Sequence, residues 1–393
     1  MASKPHLRDQ FLFGLNYAAL FSGAAIVLAL FPVWLKGEGF SENEVGLILG
    51  AAFWLKVIIG PLFSSLADIT GRRKLWLAVL AIGYFFVVLS LHQVTGFWPV
   101  ALLWALGGAM FTTQIPISDS ISVLAVRQRA LDYGSARLWG SLSFIVVSLL
   151  AGWYVQGGEN SLILELLTWC TGLAVLAVLF LPDLRSNRSK GSKASFWEAF
   201  RIPEFRTFVW IAASIQASHA ALYGFASLHW QAAGLSESQI ALLWAEGVVI
   251  EVLVFAFGRR LLIKLDIIGL LSLAILGGTL RWFVMGLTTD LVWLIAIQSL
   301  HACTYAATHL AVVTFITRRI PDHLGASAQG LYDVMAMGII FGGAMWISGE
   351  LYGALQGKTF WVMGAMTVFS GFMLLLNMRK IREGSAAPSR AAD

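Results

Sequence analysis

The chain consists largely of apolar stretches, each about 20 residues or longer, that follow one another with only short polar turns between them. A helix needs roughly 20 apolar residues to cross the hydrocarbon core of a bilayer. Twelve such stretches can be delimited, so the sequence predicts an all-α membrane protein with twelve transmembrane helices. The predicted spans are 10–35, 43–66, 74–93, 97–125, 134–155, 161–181, 206–231, 238–260, 267–287, 290–317, 324–350 and 357–378.

The overall composition excludes several classes of protein. Hydrophobic residues make up 58% and charged residues 12% of the 393 residues, whereas a soluble domain averages about 45–50% and about 25%. A cytosolic enzyme, a secreted disulfide scaffold and a nucleic-acid binder are therefore excluded, although the net charge is +5. Cys170 and Cys303 lie in apolar stretches without other potential metal ligands nearby, so we predict two free buried thiols and no metal site.

The basic residues predict how the spans are oriented, because lysine and arginine favour cytoplasmic loops. With the N-terminus in the cytoplasm, 22 lysines and arginines fall in cytoplasmic segments and two, Lys36 and Lys358, in outer loops. Both termini are therefore expected in the cytoplasm. Residues 1–10 contain no signal peptide with a cleavage site, so the first span is expected to stay as an anchor.

A polar, basic stretch at 182–205 divides the chain into two sets of six spans. The sequence predicts an N-terminal six-helix bundle at 1–181, a cytoplasmic linker with a short membrane-surface helix at 182–205, and a C-terminal six-helix bundle at 206–393. Residues 39–49 also align with residues 234–244, at an offset of 195. In each copy a serine, Ser41 or Ser236, is predicted to cap the following helix. Duplicated six-helix units are typical of secondary transporters, whose substrate sites lie between the halves.

Charged side chains inside the spans are costly, so each is expected to have a partner, access to water or a function. Three are basic and five are acidic, and this surplus favours protonation of one or two acids part of the time, as a proton-coupled carrier requires. Glu165 lies near the outer end of its span and is expected to reach water. The eight residues are Lys56, Asp119, Arg137, Glu165, Glu246, Glu251, Arg281 and Asp333.

The positions of two pairs of these charged residues suggest how the residues are placed relative to each other in the fold. Lys56 and Glu251 are separated by the repeat offset of 195, which predicts equal depth in the two halves. They could bind an anionic substrate opposite a proton-titrating carboxylate, or form an ion pair that only joins the halves. Asp119 and Arg137 lie on consecutive antiparallel spans and are expected to be able to meet as a pair.

Two apolar spans also carry polar stripes. The tenth span has five polar residues at i, i+3, i+4, i+7 and i+8, which is one helical face. The seventh span has three on one face. Such stripes indicate a wet cavity, or else hydrogen bonding between helices. The residues are His301, Thr304, Tyr305, Thr308 and His309 in the tenth span and Gln216, His219 and Tyr223 in the seventh.

The loop after the second span, Asp68-Ile-Thr-Gly71-Arg72-Arg73, resembles the D-x-x-G-R-R/K motif of the major facilitator superfamily. Ser64 stands where that motif often has its first glycine. The resemblance implies that this loop acts as a latch on the cytoplasmic gate, through Asp68 and Arg72, and does not bind substrate.

Further segments resemble the phenylpropionate permease-like group of that superfamily and its relatives among oligosaccharide and nucleoside proton symporters. They are residues 131–141, 219–225 and 300–310. The resemblance implies a proton-coupled symporter that imports a small aromatic carboxylate, such as 3-phenylpropionate, by alternating access. It further implies a monomer in the inner (plasma) membrane, with the organic anion, the proton and membrane lipid as partners and without a cofactor.

The same resemblance, with that to the more distant lactose permease family, suggests roles for individual residues. Thr304 stands where lactose permeases carry their proton-binding acid, so Glu251 is the preferred proton site here, followed by Asp333 and Glu246, with His301 beside it. The expected substrate-binding residues are Lys56, Asp119, Arg137, Trp139, His219, Tyr223, Arg281, His301 and Tyr305. The expected gate residues are Asp68, Gly71, Arg72 and Arg73.

Other functions stay as alternatives with distinguishing features. A sugar or nucleoside symporter and an effluxer of the same superfamily would share the fold. A membrane-embedded enzyme would need a nucleophile–base pair or a metal cluster such as H-E-x-x-H, which the sequence lacks. The sequence has no P-loop for ATP-driven transport, and a receptor without transport would show no uncoupler-sensitive accumulation.

Overall fold

A computed structural model describes residues 7–185, 196–254 and 264–383, and this part of the chain is helical, with turns between the helices. Within it, nine helices are long and apolar enough to cross a membrane. The first half contains α1 (Leu7–Ala29), α2 (Phe31–Gly37), α3 (Glu42–Thr70), α4 (Arg73–Leu91), α5 (Phe97–Arg129), α6 (Tyr133–Val155) and α7 (Ser161–Phe180).

The second half has shorter helical segments. Two of its apolar stretches contain a π-helical segment, at Ala302–Ala306 and Met335–Ile340, and two short 3₁₀ turns cover Asp322–Leu324 and Gln356–Lys358. Its α-helices are α8 (Phe196–Arg201), α9 (Pro203–Ala217), α10 (Ala220–Ala232), α11 (Glu237–Leu253), α12 (Ile267–Met285), α13 (Leu291–Gln298), α14 (Ala307–Arg319), α15 (Gly325–Val334), α16 (Phe341–Leu355) and α17 (Thr359–Glu383).

Within the described residues, every predicted span coincides with one helix or with a run of consecutive helical segments, and the all-α prediction is confirmed. The end of the eighth span, most of the linker and both chain termini lie outside the described residues. The short helix predicted in the linker is α8, which packs against α9 and α15. The number of membrane crossings and the side on which the termini lie stay predictions.

Four predicted spans are interrupted in the described part of the chain, and the eleventh contains the second π-helical segment at Met335–Ile340. The first breaks just before Pro32, since proline lacks a backbone donor and is tolerated in the first helical turn. The seventh breaks at Ser218 and His219, whose side chains contact the carbonyl groups of the preceding turn. The tenth contains the first π-helical segment, which rotates the residues after it relative to a regular α-helix.

The repeated turn has the same geometry in both halves. Ser41 and Ser236 each accept a hydrogen bond from the backbone N–H three residues on, so the predicted caps are confirmed. The side chains of Glu44 and Gln239 return a bond to the backbone of those serines, which completes a capping box in each half. The glycine two residues before each serine has a φ of +89°. The two copies therefore share their backbone conformation as well as their sequence.

The two halves meet most closely at the end of the molecule where α1 ends, which we call the far side; the end where α1 begins is the N-side. There α3 packs on α16, and α6 packs on α11. A Cβ on Gly46 would lie 2.8 Å from the Cα of Gly349, and one on Gly50 would lie 2.7 Å from the carbonyl oxygen of Gly342. Glycine at these positions lets the backbones touch and closes the far side.

Toward the N-side, α3 is less covered by the helices of the second half. The buried residues of α3 lie between Val45 and Ala52, apart from Ala67 near its end, and none lies at 53–66. The halves are thus joined at the far side and less covered toward the N-side.

Candidate functional site

Arg281, on α12, is a buried charge surrounded by neutral groups. Its side chain is only 1% exposed. Its Nη2 donates to Oε1 of Gln298 at 2.6 Å, and its Nη1 lies 3.1 Å from Nδ1 of His301 and 3.4 Å from Oγ1 of Thr304. Within the described residues, no carboxylate forms an ion pair with Arg281, and its Nε has no hydrogen-bond partner. A guanidinium that has lost its hydration in this way favours the approach of an anion.

His301 connects Arg281 to Glu251. A guanidinium only donates hydrogen bonds, so Nδ1 of His301 is the acceptor and Nε2 carries the proton. That Nε2 lies 3.9 Å from Oε2 of Glu251, whose side chain is 25% exposed. The distance exceeds a direct hydrogen bond and leaves room for a water or a small movement. The three side chains form a line from a fixed cation to a partly accessible carboxylate.

The first π-helical segment explains how these groups come together. It begins directly after His301 and contains Thr304 and Tyr305. The ring of Tyr305 stacks on that of His301, with centroids 5.6 Å apart and an interplanar angle of 13°. Such single turns of π-helix often occur at functional sites because they change the direction of the side chains. The regular stripe expected in the tenth span is therefore modified at the site itself.

His219, at the break between α9 and α10, contributes from the opposite side. Its Nδ1 faces the carbonyl oxygens of Ile215 and Gln216 at 3.3 and 3.2 Å, so that nitrogen carries the proton. Its Nε2 lies 3.0 Å from Oγ1 of Thr304. Thr304 therefore links His219 to Arg281.

An aromatic wall lies next to these polar groups. The ring of Tyr223, on α10, is 6.0 Å from His219, 6.0 Å from Trp244 and 5.8 Å from Phe341, measured between centroids. Phe341 begins α16, directly after the second π-helical segment. The cluster therefore combines a cation with aromatic faces, a combination that suits an aromatic anion.

Lys56 pairs with Asp333 across the two halves. Its Nζ lies 2.9 Å from Oδ1 of Asp333, with side-chain exposures of 13% and 47%. The alternative in which Lys56 forms an ion pair with Glu251 is therefore wrong. The offset of 195 relates the depths of Lys56 and Glu251, but the packing of α3 against α15 and the second π-helical segment presents Asp333 to Lys56 instead.

Asp119 and Arg137 do not form the expected ion pair. Asp119 accepts hydrogen bonds from the hydroxyl groups of Tyr17 at 2.6 Å and Tyr133 at 3.1 Å. The guanidinium of Arg137 lies over the ring of Phe21 at 4.1 Å and over that of Tyr17 at 5.3 Å. Tyr17 thus stands between the two charges, and Arg137 interacts electrostatically with groups of the other half, among them Glu251.

Two further site candidates lie in different surroundings. Oε1 of Glu246 accepts from the hydroxyl of Ser299 at 2.9 Å, and its Oε2 has no hydrogen-bond partner among the described residues. Trp139 is 55% exposed and lies against Gly14 on α1. Glu246 therefore contacts the tenth span, which also carries the residues around Arg281, whereas Trp139 contacts the first helix.

The loop with the superfamily motif lies on the N-side. Gly71 ends α3 with a φ of +67°, and Arg73 pairs with Asp68 at 2.7 Å. Arg72, expected to act with Asp68, has an exposed side chain. The carboxylate of Asp68 is thus engaged by a different arginine of the same loop.

The segment 131–141 contributes a helix cap as well as site residues. Asp132 caps α6 by accepting from the backbone N–H of Ser135 at 3.2 Å and from its hydroxyl at 2.5 Å. These bonds favour the ionised form and lower the pKa of Asp132. Its role is therefore to start the helix that carries Arg137.

Three participants are not among the expected site residues, although Gln298 extends the polar stripe of the tenth span. Gln298 makes the shortest contact with Arg281, and Tyr17 and Phe21 on α1 hold Asp119 and Arg137. The polar residue in an apolar run was the available signal for Gln298 and Tyr17. No sequence signal distinguishes Phe21 from the other apolar residues of α1.

Comparison with known proteins gives a consistent result. Residues 13–363 match the MFS_1 like family. The chain is 32% identical to the probable 3-phenylpropionic acid transporter of Escherichia coli (strain K12), over 91% of this chain and 95% of that protein. Among solved structures, a point mutant of the nucleoside transporter NupG superposes with a TM-score of 0.83 at 16% identity, over 93% and 99% of the chains. The inward-open xylose transporter XylE from E. coli gives 0.71 at 14% identity, over 93% and 94%.

Proposed function

Because this chain belongs to the MFS_1 like family, and is therefore a multi-pass membrane transporter rather than an enzyme, we propose that it imports a small aromatic carboxylate together with protons. The observation that carries the proposal is the buried guanidinium of Arg281, which has neutral hydrogen-bond partners and lies beside aromatic rings. 3-Phenylpropionate is the substrate we propose first, since the E. coli relative is described as its probable transporter.

The substrate carboxylate would approach Arg281 and the two other basic groups that face the interface of the halves. Lys56 is held there by Asp333, and Arg137 interacts electrostatically with Glu251 across the interface. The aromatic ring would lie against Tyr223 and Tyr305. An anion in this position would offset the cost of burying the guanidinium, and a neutral sugar would leave that cost in place.

Glu251 is the group we propose to carry the proton. It is partly accessible and faces the N–H of His301. When protonated, it would leave the cations free to hold the substrate anion, and the loaded transporter would change conformation. One pH unit across the membrane is worth 1.36 kcal/mol per proton, which corresponds to about tenfold accumulation for each proton that moves with the substrate.

The transporter would work by alternating access in the inner (plasma) membrane, as a monomer with both termini in the cytoplasm. The bundles at 1–181 and 206–393 would rock about the interface that contains the site. With the N-side in the cytoplasm, closure of the far side supports an inward-facing arrangement.

Uptake into proteoliposomes tests the proposal. Labelled 3-phenylpropionate should accumulate when an inward proton gradient is imposed, and an uncoupler should abolish the accumulation. An absence of accumulation by protein that is folded and inserted would discard this substrate. The same vesicles would then be tested with sugars and nucleosides, and with export assays for an effluxer.

A further inference from the structure

A basic cavity lies on the N-side of the second half, away from the site described above. Its volume is about 260 Å³, and it is lined by the beginning of α12, the end of α14 and the end of α17. Three of its lining residues, Arg318, Arg319 and Arg382, are arginines, and Asp266 is the acidic residue in the lining. The cavity therefore carries a surplus of positive charge.

The local contacts hold this charge in place. Nη2 of Arg319 donates to the carbonyl oxygen of Ile381 at 2.8 Å, which ties α14 to α17. Oδ1 of Asp266 accepts from the backbone N–H of Gly269 at 2.7 Å, so the acid caps α12. The first N–H groups of that helix add positive potential to the same cavity.

The general preference for basic residues on one side of a membrane does not account for this arrangement. Some arginines on the N-side have carboxylate partners, as Arg73 has in Asp68 and Arg129 in Asp9. Arg72 and Arg127 are exposed and lie outside the cavity. In the described part of the chain, neither Arg318 nor Arg319 forms an ion pair with a carboxylate. Two adjacent arginines without such partners, at the rim of a cavity, favour an external anion.

We propose that this cavity binds the phosphate group of an anionic phospholipid. The cavity lies at the ends of membrane-spanning helices, where lipid headgroups are concentrated, and basic pockets in this position bind anionic headgroups. Guanidinium groups suit phosphate because they can donate two parallel hydrogen bonds to it. Free inorganic phosphate has the same chemistry but lacks the acyl chains that would concentrate it at this depth.

Native mass spectrometry of the purified full-length protein, titrated with phosphatidylglycerol or phosphatidylcholine, tests the proposal. Phosphatidylglycerol should bind more tightly, and Arg318→Gln should weaken its binding about fivefold, as expected for the loss of one arginine near an anionic headgroup. Arg318→Gln combined with Arg382→Gln should weaken it about 25-fold. Arg318→Lys should keep part of the affinity, which shows that loss of folding is not the cause.

Arg127→Gln is the matched control, since Arg127 is an exposed arginine near the N-side end of α5 and lies outside the cavity. It should leave phosphatidylglycerol binding unchanged. Equal affinity for the two lipids, or equal weakening by Arg127→Gln and Arg318→Gln, would overturn the proposal. If inorganic phosphate binds in an Arg318-dependent way while the lipid does not, the lipid assignment is wrong.

Discussion

A guanidinium as deeply buried as that of Arg281 loses its hydration, and hydrogen bonds to neutral groups return only part of the lost interaction. The contacts with Gln298, His301 and Thr304 come from one stretch of the tenth span. They therefore fix the direction of the guanidinium without cancelling its charge. This arrangement keeps a cation available for a ligand.

Replacing Arg281 by lysine tests the importance of that direction. An ammonium keeps the charge but cannot reproduce the planar fork of donors. We expect Arg281→Lys to reduce proton-driven uptake at least about tenfold, as for loss of a charge-assisted hydrogen bond. Arg281→Gln should abolish accumulation. Both variants should reach the membrane in normal amounts on immunoblots, and normal accumulation by Arg281→Gln would remove this residue from the mechanism.

The Lys56–Asp333 pair joins the two halves and should show coupling in a double-mutant cycle. Lys56→Met or Asp333→Asn alone leaves one partly buried charge without its partner. We expect each single change to lower the melting temperature and the double change to recover part of the loss, with a coupling energy of about 0.5–3 kcal/mol. Thermal unfolding in detergent measures this. Additive losses would show that the pair does not stabilise the interface.

For individual residues, the sequence predicts which side chains are exceptional in an apolar span better than it predicts which residues they contact. Lys56, Asp333 and Arg281 stand out because charge is rare in apolar spans. Their partners depend on the rotation of each helix about its axis, which an offset along the chain does not determine. The contact of Asp119 with Tyr17 spans 102 residues and depends on how α1 packs against α5.

The helices themselves follow from apolar length and local caps, which explains why their bounds could be predicted. Their interruptions could be predicted only in part. Proline marks the break before α2, but the π-helical segment at Ala302–Ala306 contains no proline or glycine. Its formation depends on neighbouring helices, including α11 and α12, that hold the side chains on either side of it.

The glycine contacts between α3 and α16 predict how the far side can be opened. A Cβ on Gly349 would lie 2.6 Å from the carbonyl oxygen of Glu42, a backbone atom that cannot rotate away. Gly349→Ala should therefore separate these helices and favour opening of the far side. Spin labels on Thr95 and Lys358, after replacement of the native cysteines, should report a longer distance by electron paramagnetic resonance.

Gly343→Ala is the control for that experiment. Gly343 lies on the same helix, and its Cβ would meet nothing within 4 Å. It should leave the distance between the labels unchanged. If both variants give the same distance distribution, the close glycine contacts do not control the far side.

At the scale of the whole molecule, the site lies between a closed far side and a less covered N-side. Lys56 in the first half pairs with Asp333 in the second, and Arg137 interacts electrostatically with Glu251. Any rocking of the halves must change these interactions. Under the proposed mechanism, charge at the interface would link the occupancy of the site to the conformation of the transporter.

A substitution at Glu251 can separate proton coupling from movement of the substrate across the membrane. Glu251→Gln removes the carboxylate that we propose to carry the proton, but keeps its shape and a polar contact for His301. We expect this variant to lose accumulation driven by a proton gradient and to retain exchange of labelled for unlabelled 3-phenylpropionate across the membrane, since exchange needs no net proton movement.

Glu165→Gln is the control, because Glu165 is exposed and lies near the far-side end of α7. This variant should retain both activities. Accumulation by Glu251→Gln at the level of the unmodified protein would transfer the proton-binding role to Asp333 or Glu246, and loss of both activities would assign Glu251 to substrate binding instead of coupling.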